Sequence, residues 1–540
     1  MPDQPTSKPP GTVDDLLQRA VAQCPDTPAL LGDDWSLTFA QLDHETNKAC
    51  HVLAGEGVRR GSTVAASTSN CADIVVAFLA VMRLGGRWVG LNRALSDYQR
   101  HNLIGHSGAR IMLTDSLFEP SARPASRTKL SVITMSGTDG DEWRERVAAA
   151  STNRRRPTGV DPLAPAAISY TSGTSGSPKG VVHSQHNITL PGRFLATTPD
   201  FGSSAVGGVC LALTILNVIA VSVLPSIAAR RPCVILPRPD PILIADSVER
   251  HRITSMSMPP PTLFDLAHRG DISPTALGTL QHPRTGGAEL PEEVRRAFEE
   301  RFGHAIAATY GLTEAPTIVA LERRGTPHIP GSSGEILPYL QVHIVGEDGG
   351  ELPQGETGEI CVRAAEGGAW GGRYRPMLGY WRRPAATRKA LSGGLLHTGD
   401  LGSVKDGHLY PKDRRDNLIL RGGASVYPVQ VERVIRSIDG VADCVVVGLP
   451  DLRLGQRVAA AIELTDGAAL SADTVLAHCR QHLARYEIPE SIVFLDSLPR
   501  NTMNKVVRRT VLDQILPMLG QAGPAAGDVP EERTHPTGAL

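Results

Sequence analysis

The sequence predicts an α/β protein with a large N-terminal domain of layered α/β sheets, a β-rich subdomain within it, and a small α+β C-terminal domain. Three observations predict this. Over residues 13–83 short apolar runs alternate with amphipathic helical patterns, the rhythm of a layered sheet. Between Gly331 and Arg363 strand-like runs alternate with turn signals such as Glu347-Asp-Gly-Gly and Pro353-Gln-Gly-Glu. From about Asp416 the texture becomes a small module of helix, strand and helix. At 540 residues the chain is too long for a single core. The expected division is a disordered tail at 1–12, a large domain at 13–415, a small domain at 416–516 and a disordered Gly/Pro/Ala-rich tail at 517–540.

In chain order, Thr12 caps an amphipathic helix beginning at Val13, and a second helix runs from the Leu37-Thr-Phe segment to Gly55. Thr63-Val-Ala-Ala-Ser reads as a strand and the run through Val75 as a helix. Residues 137–161 are polar and Arg-rich and read as a surface connection. Phe201 to Ala229 carries no charge, but Gly207, Gly208, Asn217 and Pro225 interrupt it, so it reads as a buried element lining a pocket and not as a membrane span. Ala245 to Pro261 reads as helix, strand and a rigid proline turn. Gly286-Gly287-Ala288 is a turn. In the small module, helices are expected at Pro428–Ser437 and Ala472–Leu483, with a strand at Asp443–Val447.

With 55 basic and 56 acidic residues the chain has no general attraction for nucleic acid or anionic membrane. The eight cysteines are scattered singly, without the spacing of a zinc or disulfide framework. The N-terminus has no apolar core of a secretion signal, and a cytoplasmic location is expected. Lysine is rare, only eight of the 55 basic residues, which gives weight to any lysine that falls inside a motif.

One does so at Ile168-Ser-Tyr-Thr171-Ser172-Gly173-Thr174-Ser175-Gly176-Ser-Pro-Lys179-Gly180. This reads as a strand, a loop and a second strand from Val181. The loop's glycines admit backbone N–H groups to an anion, its hydroxyls add donors, and Lys179 adds positive charge, a combination suited to polyphosphate. It is not a Walker loop, because Pro178 precedes the lysine and Gly180 follows it. The segment resembles the signature loop of the adenylate-forming superfamily: acyl-CoA synthetases, peptide-synthetase adenylation domains and luciferases.

Companion segments extend the resemblance over residues 12–515. They are Thr309-Tyr310-Gly311-Leu312-Thr313-Glu314, His397-Thr398-Gly399-Asp400, Asp413 to Glu432, and Leu498-Pro499-Arg500-Asn501-Thr-Met-Asn504-Lys505. The resemblance implies that Tyr310 stacks on adenine, with Gly286, Gly287, Ala288 and Gly311 beside the nucleotide. Thr171 to Gly176, Thr313 and Lys179 then handle phosphate, Glu314 holds Mg²⁺, and Asp400 and Arg414 bind ribose. It further implies that Asp416 is a hinge about which the small domain moves, that Lys505 is catalytic, and that Gly422, Gly423, Ala424 and Ser425 line a tunnel for coenzyme A.

The branch it resembles most is the acyl- and aryl-CoA ligases, so a carboxylic acid, ATP and CoA are the expected partners, with a homodimer compatible. The small aliphatic residues of 205–223, with Gly207, Gly208 and Asn217, suggest a roomy apolar acyl pocket and hence a bulky or long hydrophobic acid. Three positions depart from the family pattern: Ala308, Asn217 and Glu289. Ala308 lacks a polar side chain to meet adenine, a difference of ~1 kcal/mol if nothing replaces it. This keeps two alternatives open, an enzyme that only thiolates a pre-formed acyl-adenylate and a non-catalytic nucleotide-binding protein.

Overall fold

The computed structural model describes residues 11–115, 130–135, 141–155, 159–171, 178–287, 290–316, 318–414, 417–421, 424–451, 454–501 and 505–521. The chain divides into two compact units, Met1–Pro411 and Lys412–Leu540.

In the larger unit the helix Val13–Gln23 starts where Thr12 and Asp15 satisfy each other's backbone N–H groups, closing a capping box. Its apolar stripe, Val13, Leu16, Leu17 and Ala20, is buried. The helices Phe39–Gly55 and Ala72–Arg83 pack with it, and Arg83 ties the three together. Fully buried, Arg83 reaches Asp14 Oδ1 at 2.8 Å, Asp43 Oδ1 at 2.5 Å and Asn47 Oδ1 at 2.6 Å.

These helices cover a seven-stranded sheet. Its parallel strands Thr63–Ser67, Arg87–Gly90, Ile111–Thr114 and Ser131–Thr134 are extended by the antiparallel hairpin Pro165–Thr171 and Lys179–Ser184. The second strand of that hairpin begins at Lys179, two residues before the expected Val181, because Thr171 and Lys179 already face each other in register. On the hairpin's outer edge lies the short strand Gly379–Tyr380, with Tyr380 opposite Val181.

A thirteen-stranded sheet holds the rest of the unit's strands. At its centre Cys233–Ile235, Gly207–Val209, Ser255–Ser257, His282–Gly286 and Ala307–Tyr310 run parallel, in that spatial order. The β-rich segment follows as Leu340–Val345 and Gly358–Ala364.

The structure corrects several expectations. Residues 137–161 are not merely a surface connection: they include the helix Glu142–Ala149, seated by a fully buried Trp143. The prolines after Met258 do not make a rigid turn. They open the helix Pro260–His268, where a missing N–H costs nothing. The uncharged run is buried but broken into a 3₁₀ turn Pro199–Phe201, the strand Gly207–Val209 and a helix from Leu216 to Ala229 whose middle, Ile219–Val223, is π-helical. No helix among the described residues is long and apolar enough to cross a membrane.

The smaller unit is built on a five-stranded sheet whose longest pair is Val441–Asp451 with Gly455–Leu464. The helix Pro428–Arg436 packs on it and carries Glu432, buried, into hydrogen bonds from Val446 N–H (2.8 Å) and Arg508 Nη1 (2.5 Å). Ala472–His482 is the second helix. The last helix, Arg508–Gln521, passes the point near Leu516 where a tail is expected, since Val511 and Ile515 bury against the sheet.

Candidate active site

Strand ends of the larger unit bring the motif residues into two groups. In the first, Lys179 Nζ lies 5.2 Å from the centre of the Tyr380 ring, a cation–π contact, and Tyr380 OH donates to Glu314 Oε1 at 3.0 Å. Tyr380 therefore links the only lysine of the signature segment to the expected metal-binding carboxylate. In the second group, Tyr310 OH donates to Asp400 Oδ2 at 2.6 Å, joining the expected adenine and ribose residues.

Backbone contacts fix both groups. The strand Lys179–Ser184 carries His183, buried, whose Nε2 lies 2.6 Å from the Thr313 carbonyl oxygen. Burial pushes the His183 pKa down to about 4, so the ring is neutral and donates to that carbonyl. Met377 N–H binds the Glu314 carbonyl at 2.9 Å. The glycine turn expected before Asp400 is instead an irregularity within the strand Leu396–Lys405, held by Glu359, which accepts from Gly399 N–H at 3.1 Å and lies 3.1 Å from His397 Nδ1. Cys361 Sγ is 3.3 Å from the same nitrogen. Cys361 is thus not an isolated thiol as its spacing suggests, because strand pairing sets it opposite His397.

Gly286 ends the strand His282–Gly286, and a Cβ there would sit 2.1 Å from Thr309 Oγ1, so only glycine fits. Gly287 follows with φ +81°. Thr171 stands at the end of its strand facing Lys179. Gly311 follows the strand Ala307–Tyr310. Ala308 keeps its backbone N–H on Glu322 Oε2 at 2.6 Å. Ser172, Gly173, Thr174, Ser175, Gly176, Ala288, Asp416, Gly422 and Gly423 lie outside the described residues. Ala424 and Ser425 open the short strand Ala424–Val426.

On the smaller unit Arg414 ends the strand His408–Arg414 and is exposed; Asp413 accepts from its N–H at 2.6 Å and from Val429 N–H at 3.1 Å. Lys505 is exposed, its N–H on Asn501 Oδ1 at 3.0 Å.

The expected acyl-pocket residues separate. Gly207 and Gly208 border a cavity of about 10 Å³ between the central strands and the π-helical turn, whereas Asn217, half-buried, does not. At that volume the space holds no more than a water-sized group. Phe201, Val221 and Met256 form part of its wall, but so do Ser222, Ser255, Ser257 and Arg284. Tyr380, His183 and Arg284 are the residues that sequence reasoning missed. Arg284 did leave a signal, a charge inside a short strand just before the Gly286-Gly287 turn.

Glu314 offers carboxylate oxygen, the donor type that a hard divalent cation shares with phosphate oxygens, so the site fits Mg²⁺.

A strand hairpin carrying one lysine, an acidic residue linked to it through a tyrosine, and a Tyr–Asp pair joining the end of the strand Ala307–Tyr310 to the middle of the strand Leu396–Lys405 fit a nucleotide-activating enzyme of the adenylate-forming class. The AMP-binding enzyme family model matches residues 17–381, and the model of the AMP-binding enzyme C-terminal domain matches residues 430–505. The chain belongs to this family.

Among its relatives is the long-chain-fatty-acid–CoA ligase FadD13 of Mycobacterium tuberculosis, 28% identical over 89% of this chain and 93% of the relative. The 3-[(3aS,4S,7aS)-7a-methyl-1,5-dioxo-octahydro-1H-inden-4-yl]propanoyl:CoA ligase of the same organism is 30% identical, over 92% and 97%. The solved structure of ATP-bound MatB from Rhodopseudomonas palustris superposes with a TM-score of 0.83 at 27% identity, covering 94% of this chain and 99% of that one. The protein is an acid–thiol ligase of the acyl- and aryl-CoA ligase group.

Proposed function

We propose that the protein activates a carboxylic acid with a bulky or long apolar body and transfers it to coenzyme A. The observation that carries the reading is the linked set Lys179, Tyr380 and Glu314 beside the Tyr310–Asp400 pair. In the first step a carboxylate oxygen of the acid attacks the α-phosphorus of ATP, the bond to the bridging β-phosphate oxygen breaks, and pyrophosphate leaves acyl-AMP. Lys179 opposes the phosphate charge that develops, while Tyr380 holds Glu314 in place. Glu314 would hold Mg²⁺, which when bound neutralises phosphate charge. Tyr310 and Asp400 orient the nucleoside. In the second step the CoA sulfur attacks the acyl carbon, the carbon–oxygen bond to phosphate breaks, and AMP departs.

The apolar body of the acid is supported by the relatives, whose names specify a long-chain fatty acid and a bicyclic propanoyl group. The test is acid-dependent ATP–pyrophosphate exchange across a panel of apolar acids, with acyl-CoA formation measured in parallel. Exchange and acyl-CoA formation with large apolar acids are expected. Turnover of acetate alone would overturn the substrate class, and acyl-CoA formation only from supplied acyl-adenylate would assign the protein the second step alone. The Lys505→Ala variant tests whether the smaller unit contributes its lysine, with a loss of roughly 100-fold or more in exchange expected.

A further inference from the structure

The cavity beside Gly207 contains a feature that an apolar acid does not use. In neighbouring parallel strands, register partners share a face and alternate residues point the same way. The pairs Ser255↔Gly207, Ser257↔Arg284 and Gly286↔Thr309 therefore set Gly207, Ser255, Ser257, Arg284, Gly286 and Thr309 on one face. That face looks toward the helix containing the π segment, since a Cβ on Gly207 would meet Ser226 Oγ at 2.7 Å. Arg284 stands two residues before Gly286, about 6.6 Å along the strand, so the cavity lies just beneath the expected nucleotide turn.

Arg284 is 5% exposed. Its Nη2 donates to Ser255 Oγ at 2.8 Å and its Nη1 lies 3.3 Å from Asp200 Oδ2, while Asp200 Oδ1 is 3.0 Å from His282 Nδ1. The Nε–H is buried and has no hydrogen-bond partner among the described residues. A buried donor left unmade is costly, and a wall arginine with one spare N–H beside a space of about 10 Å³ matches a single small acceptor. Asp200 already balances the guanidinium, so the acceptor that fits is neutral and a second carboxylate would stand uncompensated.

We propose that Arg284 is a specificity-determining residue that binds a neutral oxygen, a keto or hydroxyl group, on the apolar body of the acid at the end remote from the reacting carboxyl. This rests on the acyl-CoA ligase reading above and names the substrate class more narrowly. Ser222, on the opposite wall, sets the depth of the site.

The test uses two matched, unreactive acyl-sulfamate analogues of the acyl-adenylate, identical except that one carries a keto group on its ring or chain. Their affinities for the full-length protein are compared by calorimetry, beside Arg284→Met and Ser222→Val variants with melting curves. The wild type should prefer the keto analogue by about 10-fold or more. Arg284→Met should abolish that ratio, and Ser222→Val, which fills the cavity without touching the ion pair, should reduce it even if the arginine variant fails to fold. Equal binding of the two analogues by the wild type overturns the proposal and leaves the ligase reading intact. A keto preference that persists in both variants also overturns it. If neither analogue binds, the ligase reading fails and this proposal falls with it.

Discussion

Two buried arginines of the larger unit sit in contrasting surroundings. Arg83 is surrounded by acceptors, with Asp14, Asp43 and Asn47 each within 2.8 Å; burial lowers its pKa, but the charges of Asp14 and Asp43 outweigh that and hold it above the ordinary value. Arg284 has one carboxylate at 3.3 Å and borders a cavity, and burial pulls its pKa below the ordinary value against the weaker pull of Asp200. Arg83 is a completed fastening between helices. Arg284 is a buried cation whose Nε–H meets no partner among the described residues, the donor that the proposed ligand would satisfy.

Breaking the first should cost the most. Arg83→Met removes a fully buried cation from Asp14 and Asp43, which keep the outer partners Arg154 and Gln18, and should lower stability by about 3–5 kcal/mol in urea unfolding, with no change in the relative affinity for the two analogues. A smaller cost is expected for Arg284→Met, about 1–3 kcal/mol, because Asp200 keeps His282 as a partner. If that variant loses as much stability as Arg83→Met, the contrast between the two arginines fails.

The next effect depends on pH. Burial raises the Asp200 pKa, but hydrogen bonding to His282 and the charge of Arg284 outweigh it and hold the pKa below the usual carboxylate value. A carboxylate lowered on folding adds stability above its unfolded pKa and loses it as pH falls through the folded one. The stability difference between wild type and Asp200→Asn should therefore be full at neutral pH and shrink as pH drops below about 4; a difference that grows in acid would contradict the assignment. The smallest effect should come from Ser255→Ala, about 0.5–1.5 kcal/mol, since it removes one neutral acceptor from Arg284.

The same contrast separates what is legible in the sequence from what is not. The cap at Thr12, the alternation of helices and strands, and the segments carrying Lys179, Tyr310, Glu314, Asp400 and Lys505 are readable because each is local. Such features depend on hydrogen bonds and side-chain periods within a few residues. Asn217, expected in an acyl pocket, lies in the short turn Leu216–Val218, and the π-helical segment that follows it leaves no mark in the local pattern.

From sequence alone come the family, the class of chemistry and the motif residues. Only the tertiary structure decides that Tyr380 binds Glu314, that His183 holds the Thr313 carbonyl, and that Asp200 meets Arg284. These partners are 66, 130 and 84 residues apart, so no local pattern links them. Strand register and chain crossovers bring them together, and register is a property of the packed sheet, set by which side chains can share a face.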